Sequence, residues 1–132
     1  MRTLAVLVLL LIGGCVYYFT LRRPHFSGAS PIAVDVRIPD VATTNIYRMS
    51  ITNRSACEGL VKELAQASPT FGGSMVVGKL TFRYADGKTD TVYILPGPYQ
   101  QYTILQSGTF TVSTNSFFRV LADGGVDLSK IP

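Results

Sequence analysis

The chain has no tryptophan, one histidine and only two cysteines among its 132 residues. Two cysteines do not make a disulfide framework, and Cys15 lies in an apolar run that Cys57 is not expected to reach. A zinc site needs three or four His, Cys or carboxylate ligands, so none is recognisable here. The single histidine, His25, stands beside two arginines and is typical of an interfacial residue. We therefore predict no metal and no cofactor.

Clustered positive charge is also missing from most of the chain. The formal net charge is +4, but Arg2, Arg22 and Arg23, three of the twelve basic residues, flank the N-terminal apolar run. From Pro24 onward nine Lys/Arg stand against eight Asp/Glu, and no two Lys/Arg are adjacent. Nucleic-acid binders usually carry a basic patch or stripe. We therefore expect no nucleic-acid partner.

Recognisable catalytic motifs are absent as well. The carboxylates form no evident pair for acid–base chemistry, and no glycine-rich segment is followed by the Lys-Ser/Thr of a phosphate loop. The segment 123–127 has neither the ligand count nor the closing glutamate of an EF-hand. No catalytic residue is predicted, and a non-enzymatic protein is the favoured interpretation.

One long apolar run is present, from Leu4 to Leu21, and it contains no charged residue. As a helix its eighteen residues would span about 27 Å, close to the hydrocarbon core of a bilayer. Aromatic residues and then Arg22-Arg23 follow, which is the order that a bilayer interface favours. We assign residues 1–23 as a membrane anchor or signal segment, and predict a single-pass transmembrane helix.

Two other interpretations of this segment stay open. Residues 11–15, Leu-Ile-Gly-Gly-Cys, resemble a lipobox, in which Cys15 would be lipidated and the chain would be a lipoprotein. The residues after Cys15 are bulky and apolar, however, unlike a released tether. A cleaved signal peptide would need a small-x-small site, which is lacking. Because the segment resembles an export signal, we expect the domain on the extracytoplasmic side, although the flanking charges are nearly balanced.

The chain after the apolar run divides into a short linker and one domain. Residues 24–31 hold two prolines, a glycine and two serines, a composition typical of extended linkers. Residues 32–132 number about 100, enough for one hydrophobic core and not for two. A single domain over 32–132 is therefore predicted.

The first half of the domain predicts two strands and a helix. Apolar and polar residues alternate over Ile32–Ile38 and again over Ile46–Thr52, as in half-buried strands. A helical stripe of apolar residues follows Ser55, and Ser55 with Glu58 fits a capping box. Ser68-Pro69 is expected to end that helix.

The second half predicts four strands and a second helix. Asp86-Gly87 marks a hairpin between Met75–Tyr84 and Thr89–Leu95, and a type I′ turn or a bulged type I turn would give registers one residue apart. Strands at Tyr102–Leu105 and Thr109–Ser113 precede a helix that begins near Thr114. The predicted class is α+β: an N-terminal transmembrane helix, then a mainly antiparallel sheet in the order ββαββββα with helices on one face. Many unrelated domains share such an order, so it implies no function.

Cys57 is the candidate reactive thiol. It lies in the first turn of the predicted helix, where unpaired amides and the helix dipole lower a thiol pKa. The alternative is that it belongs to the apolar stripe of that helix. A small thiol-dependent enzyme or redox protein using Cys57 is therefore an alternative function.

Tyr99 and Tyr102 are candidate interface residues. They lie in an uncharged loop after Pro96, and exposed tyrosines are common at protein interfaces; the alternative is that they pack on the sheet edge. The favoured function is a membrane-tethered, non-enzymatic domain that binds a protein partner or has a structural role in an envelope assembly. An accessory subunit held in a membrane complex by its transmembrane helix is a further alternative.

Overall fold

The computed structural model describes residues 1–40, 42–70, 75–96 and 102–132. In these ranges an apolar N-terminal helix precedes a domain with one seven-stranded antiparallel sheet and two α-helices. The α+β class and the largely antiparallel sheet are confirmed.

The elements follow one another along the chain with few long connections. They are α1 (Arg2–Val16) with a π-helical turn (Tyr17–Leu21), β1 (Ala33–Pro39), β2 (Ile46–Ile51), α2 (Arg54–Ala65), β3 (Ser68–Pro69), β4 (Gly78–Arg83), β5 (Thr89–Pro96), β6 (Tyr102–Leu105), β7 (Thr109–Thr111), α3 (Thr114–Asp123) and a 3₁₀ turn (Leu128–Lys130).

The predicted order was approximate, because it lacks β3. Ser68 and Pro69 were expected only to end α2, but they pair with Thr111 and Phe110 of β7. A strand of two residues has no periodicity that a sequence pattern can show. Its partner comes from more than forty positions further along the chain, so only the tertiary structure brings it into the sheet.

The sheet runs in the order β2-β1-β4-β5-β6-β7-β3, and every neighbouring pair is antiparallel. Its inner face joins α2 and α3 in one core, as the alternation of apolar residues along each strand requires. The largest fully buried side chains include Phe82, Phe110, Phe117, Leu60 and Ile104. We call the opposite face of the sheet the outer face; on β1, β2 and β4 it carries mostly polar and charged side chains.

Helix α2 begins two residues earlier than the predicted capping box allows. Asn53 is its N-cap, and the Asn53 side chain accepts a hydrogen bond from the amide of Ala56 at 3.2 Å. Glu58, which a capping box would turn back to Ser55, accepts instead from Arg54 Nε at 2.8 Å. The predicted capping box is therefore wrong, because the better-placed Asn53 takes the capping position.

The hairpin between β4 and β5 has the bulged turn. Gly87 has φ of 85°, and its amide donates to the carbonyl of Tyr84 at 3.1 Å. This sets Arg83 opposite Thr89 and not opposite Asp90. Asp90 consequently lies on the inner face of the sheet, at the end where the chain enters the domain.

Candidate functional site

Residues 24–31, which we call the strap, lie along one end of the sheet and are joined to it. Both of the prolines that bound the strap, Pro24 and Pro31, are buried. Between them the Phe26 ring meets the Phe82 ring of the core edge to face, with centroids 5.1 Å apart. Buried prolines and an aromatic contact fix an otherwise extended segment with little loss of entropy.

The strap begins with a reciprocal pair of hydrogen bonds. The His25 amide donates to Gln106 Oε1, and Gln106 Nε2 donates to the His25 carbonyl, each at 2.6 Å. The side-chain amide of Gln106 thus occupies the place that a neighbouring strand would take. Gln106 lies in the loop between β6 and β7, and its side chain satisfies the main-chain amide and carbonyl of His25.

The middle of the strap is held by Asp90. Ser27 donates to the Asp90 carboxylate from its amide at 2.8 Å and from its hydroxyl at 2.9 Å. The Tyr84 hydroxyl donates to the carbonyl of Gly28 at 3.1 Å. Burial acts to raise the pKa of Asp90, but the hydrogen bonds from Ser27, together with the nearby Tyr84 hydroxyl, outweigh it and lower that pKa. Burial, together with Asp90, raises the pKa of Tyr84.

Arg22 lies between the apolar helix and the strap, and it contacts the sheet. Arg22 Nη1 donates to the carbonyl of Ser107 at 3.0 Å, and its guanidinium lies over the rings of Tyr18 and Phe110, 4.1 and 4.9 Å from their centroids. Gly108 leaves room for this group, because a Cβ there would lie 2.4 Å from the guanidinium nitrogens. The guanidinium therefore links the last helical turn to the sheet by stacking and hydrogen bonding.

The N-terminal helix, from Arg2 to Leu21, is long and apolar enough to span a membrane. Its mean hydropathy is 2.4, and none of it is buried against the rest of the structure. Cys15, the candidate lipidation site, is exposed within this helix. The helix continues past Cys15 into the π-helical turn without a break.

Cys57, the candidate reactive thiol, is fully buried in the core. Its Sγ donates a hydrogen bond to the carbonyl of Ile51 at 3.3 Å. Burial, with a contribution from the charge of Glu58, raises the pKa of the thiol. This shift is opposite to the one that a nucleophilic cysteine needs, so the geometry favours the core interpretation.

The two candidate interface tyrosines cannot be treated alike, since Tyr99 lies outside the described residues. Tyr102 is half-buried on β6, and its ring contacts that of Phe118 with centroids 4.9 Å apart. Its hydroxyl donates to the carbonyl of Pro132. Tyr102 therefore packs against α3 and the end of the chain.

The outer face brings together three cations that are far apart in sequence. Arg37 of β1 lies opposite Arg48 of β2 on one side and opposite Lys79 of β4 on the other. Directly opposed residues on one face of an antiparallel pair have Cβ atoms about 5 Å apart. We call Arg48, Arg37 and Lys79 the basic row. These residues line a shallow groove of about 370 Å³ with the neighbouring Asp35 and Ser50.

Asp35 is the only carboxylate on the outer face of the described strands, and it is already engaged. Arg83 Nε lies 2.7 Å from Asp35 Oδ2, and the Ser50 hydroxyl donates to Asp35 Oδ1 at 2.5 Å. Burial acts to raise the pKa of Asp35, but the hydrogen bonds from Ser50 and Arg83 lower it overall. Sequence inspection missed the basic row, because the members come from three separate strands and only the sheet order shows them as neighbours.

Within the described ranges no three His, Cys, Asp or Glu side chains come together as a metal ion would require. Comparison of the chain with protein-family models, with curated proteins and with solved structures gave no match.

Proposed function

We propose that this chain is a single-pass, membrane-tethered binding domain on the extracytoplasmic side, with a non-enzymatic role in an envelope assembly. The apolar helix would remain uncleaved in the bilayer, and the sheet domain would carry the binding surface. The observation that carries this proposal is the strap, which joins the end of the helix to the domain by directed contacts.

The strap supports tethering at a set distance from the bilayer. A flexible linker of eight residues would have a root-mean-square end-to-end distance of roughly 15 Å, and the position of the domain relative to the helix would vary by a similar amount. Here Arg22 binds the Ser107 carbonyl, and Ser27 binds the Asp90 carboxylate. A helix that ends in interfacial aromatics and arginines would place the strap end of the sheet next to the headgroups. The outer face and β2 would then be presented to partners from a defined position.

Two alternatives have less support. A thiol enzyme or redox protein would use Cys57, whose burial and raised pKa oppose reactivity. An accessory subunit would instead rely on contacts of the apolar helix itself. Replacing residues 4–21 with an unrelated apolar helix would then abolish complex formation, whereas a binding domain that uses its sheet would retain its partner.

Sidedness is tested by protease accessibility of a C-terminal tag in intact cells whose outer barrier has been opened. We expect digestion of the tag while a cytoplasmic control protein stays intact. Protection of the tag until the cells are lysed would overturn the extracytoplasmic assignment. Arg22 and Arg23 would then be the charges retained inside.

A further inference from the structure

The basic row is an arrangement that an isolated domain would be expected to avoid. Like charges directly opposite one another on a sheet face are destabilising. Arg48, Arg37 and Lys79 occupy consecutive strands with this opposition at both steps. In the part of the chain that the structure describes, none of the three has an ion-pair partner. An anionic group placed over the row would remove the repulsion and gain attraction at once.

The row ends at an open edge of the sheet. β2 pairs only with β1 among the strands described, so its other side presents unpaired main-chain groups over Ile46–Ile51. An extended segment that adds there would complete the ladder. Its side chain opposite Arg48 would extend the row by one position, with Cβ atoms about 5 Å apart.

The lipid headgroups of the bilayer that would hold the helix are a poor source of an anion for the basic row. The strap enters β1 beside Arg83, whose carbonyl accepts from the amide of Ile32 at 2.8 Å. Lys79 lies four residues from Arg83 along β4, about 13 Å away at the rise of an extended strand. The basic row is therefore displaced from the end of the sheet that the helix joins, beyond a Debye length of about 8 Å at physiological salt.

A second copy of the chain is also a poor partner for the basic row. Two copies that paired β2 with β2 would bring two basic rows together and add to the repulsion within each. The charge of this surface instead matches a partner with carboxylates. The open ladder of β2 matches an extended polypeptide.

We infer that the edge of β2 binds an acidic, extended segment of another protein, which adds to the sheet as a further strand and sets a carboxylate opposite Arg48, at the end of the basic row. This inference rests on the proposed binding role and names the class of partner.

The test uses the full chain in nanodiscs of zwitterionic lipid and a fluorescein-labelled peptide of alternating Glu and Val, about eight residues long to cover the edge strand. Anisotropy measures binding. We expect saturable binding that is lost near 0.5 M salt, where the Debye length falls to about 4 Å. A peptide of alternating Lys and Val should not bind. An otherwise identical peptide N-methylated at its glutamates should bind about tenfold more weakly, since the main-chain groups of Arg48 face the open edge and the glutamate opposite can then no longer donate its amide to the ladder.

Matched variants separate the row from net charge. Arg48→Gln with Arg37→Gln should weaken binding by about tenfold, because Arg48 lies opposite the added carboxylate and Arg37 lies one strand further in. Lys62→Gln with Arg119→Gln removes the same charge from exposed positions on α2 and α3, and should leave binding within about twofold.

Several results would overturn the inference. They are equal loss of binding in the two variant pairs, no binding of the acidic peptide, and equal binding of the N-methylated peptide. Preferential, row-dependent binding of heparin, single-stranded DNA or anionic vesicles would also overturn it and would identify another class of partner. Circular dichroism checks that each variant is folded, and the salt dependence of the unmodified chain stands without any variant. Because the assay is blind to sidedness, its failure is distinguishable from failure of the tag experiment.

Discussion

Ser27 binds both oxygens of the Asp90 carboxylate, one through its amide and the other through its hydroxyl. The two residues are 63 positions apart, and the pair ties the segment after the apolar helix to the start of β5. Hydrogen bonds to an ionised acceptor are stronger than neutral ones. A single substitution of Asp90 therefore removes both charge-assisted contacts of Ser27.

Replacing Asp90 should loosen the strap. Asp90→Asn keeps the shape of the side chain but replaces two charge-assisted hydrogen bonds from Ser27 with weaker neutral ones, so we expect the free energy of unfolding to fall by about 1–2 kcal/mol. Urea unfolding of the full chain in micelles, followed by circular dichroism, measures this. Asp123→Asn removes the same charge at the exposed C-terminal end of α3 and should leave stability unchanged or slightly raised. Equal effects of the two substitutions would contradict the role of Asp90.

The stabilisation by Asp90 should depend on pH. Its pKa is lower in the folded chain than the ordinary value near 3.9, so its contribution is present above about pH 4 and is lost as the pH falls through the lower folded pKa. The difference in unfolding free energy between the unmodified chain and Asp90→Asn should therefore shrink below about pH 4. The other carboxylates titrate in both proteins and cancel in the difference. A difference that grows on acidification would rule out the assigned pKa direction.

Gly108 should control whether Arg22 stays docked. Gly108→Ala introduces a Cβ 2.4 Å from the guanidinium at a backbone φ of 148°, so we expect Arg22 to be displaced and trypsin to cut after it faster. Gly87→Ala is the matched control, because Gly87 also has a positive φ but no atom within 4 Å of the new Cβ. That variant should lose stability without faster cleavage after Arg22. Unchanged cleavage in Gly108→Ala would argue against the docked arrangement.

The start of α2 can be tested with two neighbouring alanine substitutions. Asn53→Ala removes the hydrogen bond to the amide of Ala56 and should cost about 1 kcal/mol of stability. Ser55→Ala should cost little, since Ser55 is exposed inside the helix and alanine has the higher helix propensity. Chemical denaturation distinguishes the two assignments. A larger loss of stability for Ser55→Ala than for Asn53→Ala would support the capping box of Ser55 and Glu58.

Cys57 should be inert in the folded chain. With Cys15 replaced by alanine, we expect iodoacetamide to label Cys57 about a hundredfold more slowly than in urea, because the thiol is buried and its pKa is raised. Mass spectrometry of timed samples measures the rate. If Cys57 in the native chain is labelled as fast as in urea, the alternative function as a thiol enzyme or redox protein would be supported.

Local patterns predicted most of the elements because they depend on neighbouring residues. The alternation over 32–38 predicted β1, and the hydrophobic stripe with Cys57 and Leu60 predicted the buried side of α2. The turn at Asp86-Gly87 was also evident. Its register was not, since the type I′ and bulged turns share those two residues and differ only in backbone conformation.

The features proposed to matter for function depend on distant pairs. The composition of residues 24–31 predicted extended chain, but it gave no sign of Gln106 or Asp90 as binding partners. The basic row was hidden for the same reason, because Arg48, Arg37 and Lys79 become neighbours only when the strand order is known. A sequence pattern reports the face of a strand, whereas the neighbour on that face is a property of the sheet.

The intact mass of the chain purified from membranes tests most directly whether residues 1–23 remain attached as a membrane anchor. We predict a mass near 14.3 kDa, that of the whole chain with no added lipid. A smaller chain that begins at Cys15 and carries acyl groups would show a lipoprotein, and one that begins after the apolar run would show a cleaved signal. Either result would contradict the retention of residues 1–23 as a membrane anchor.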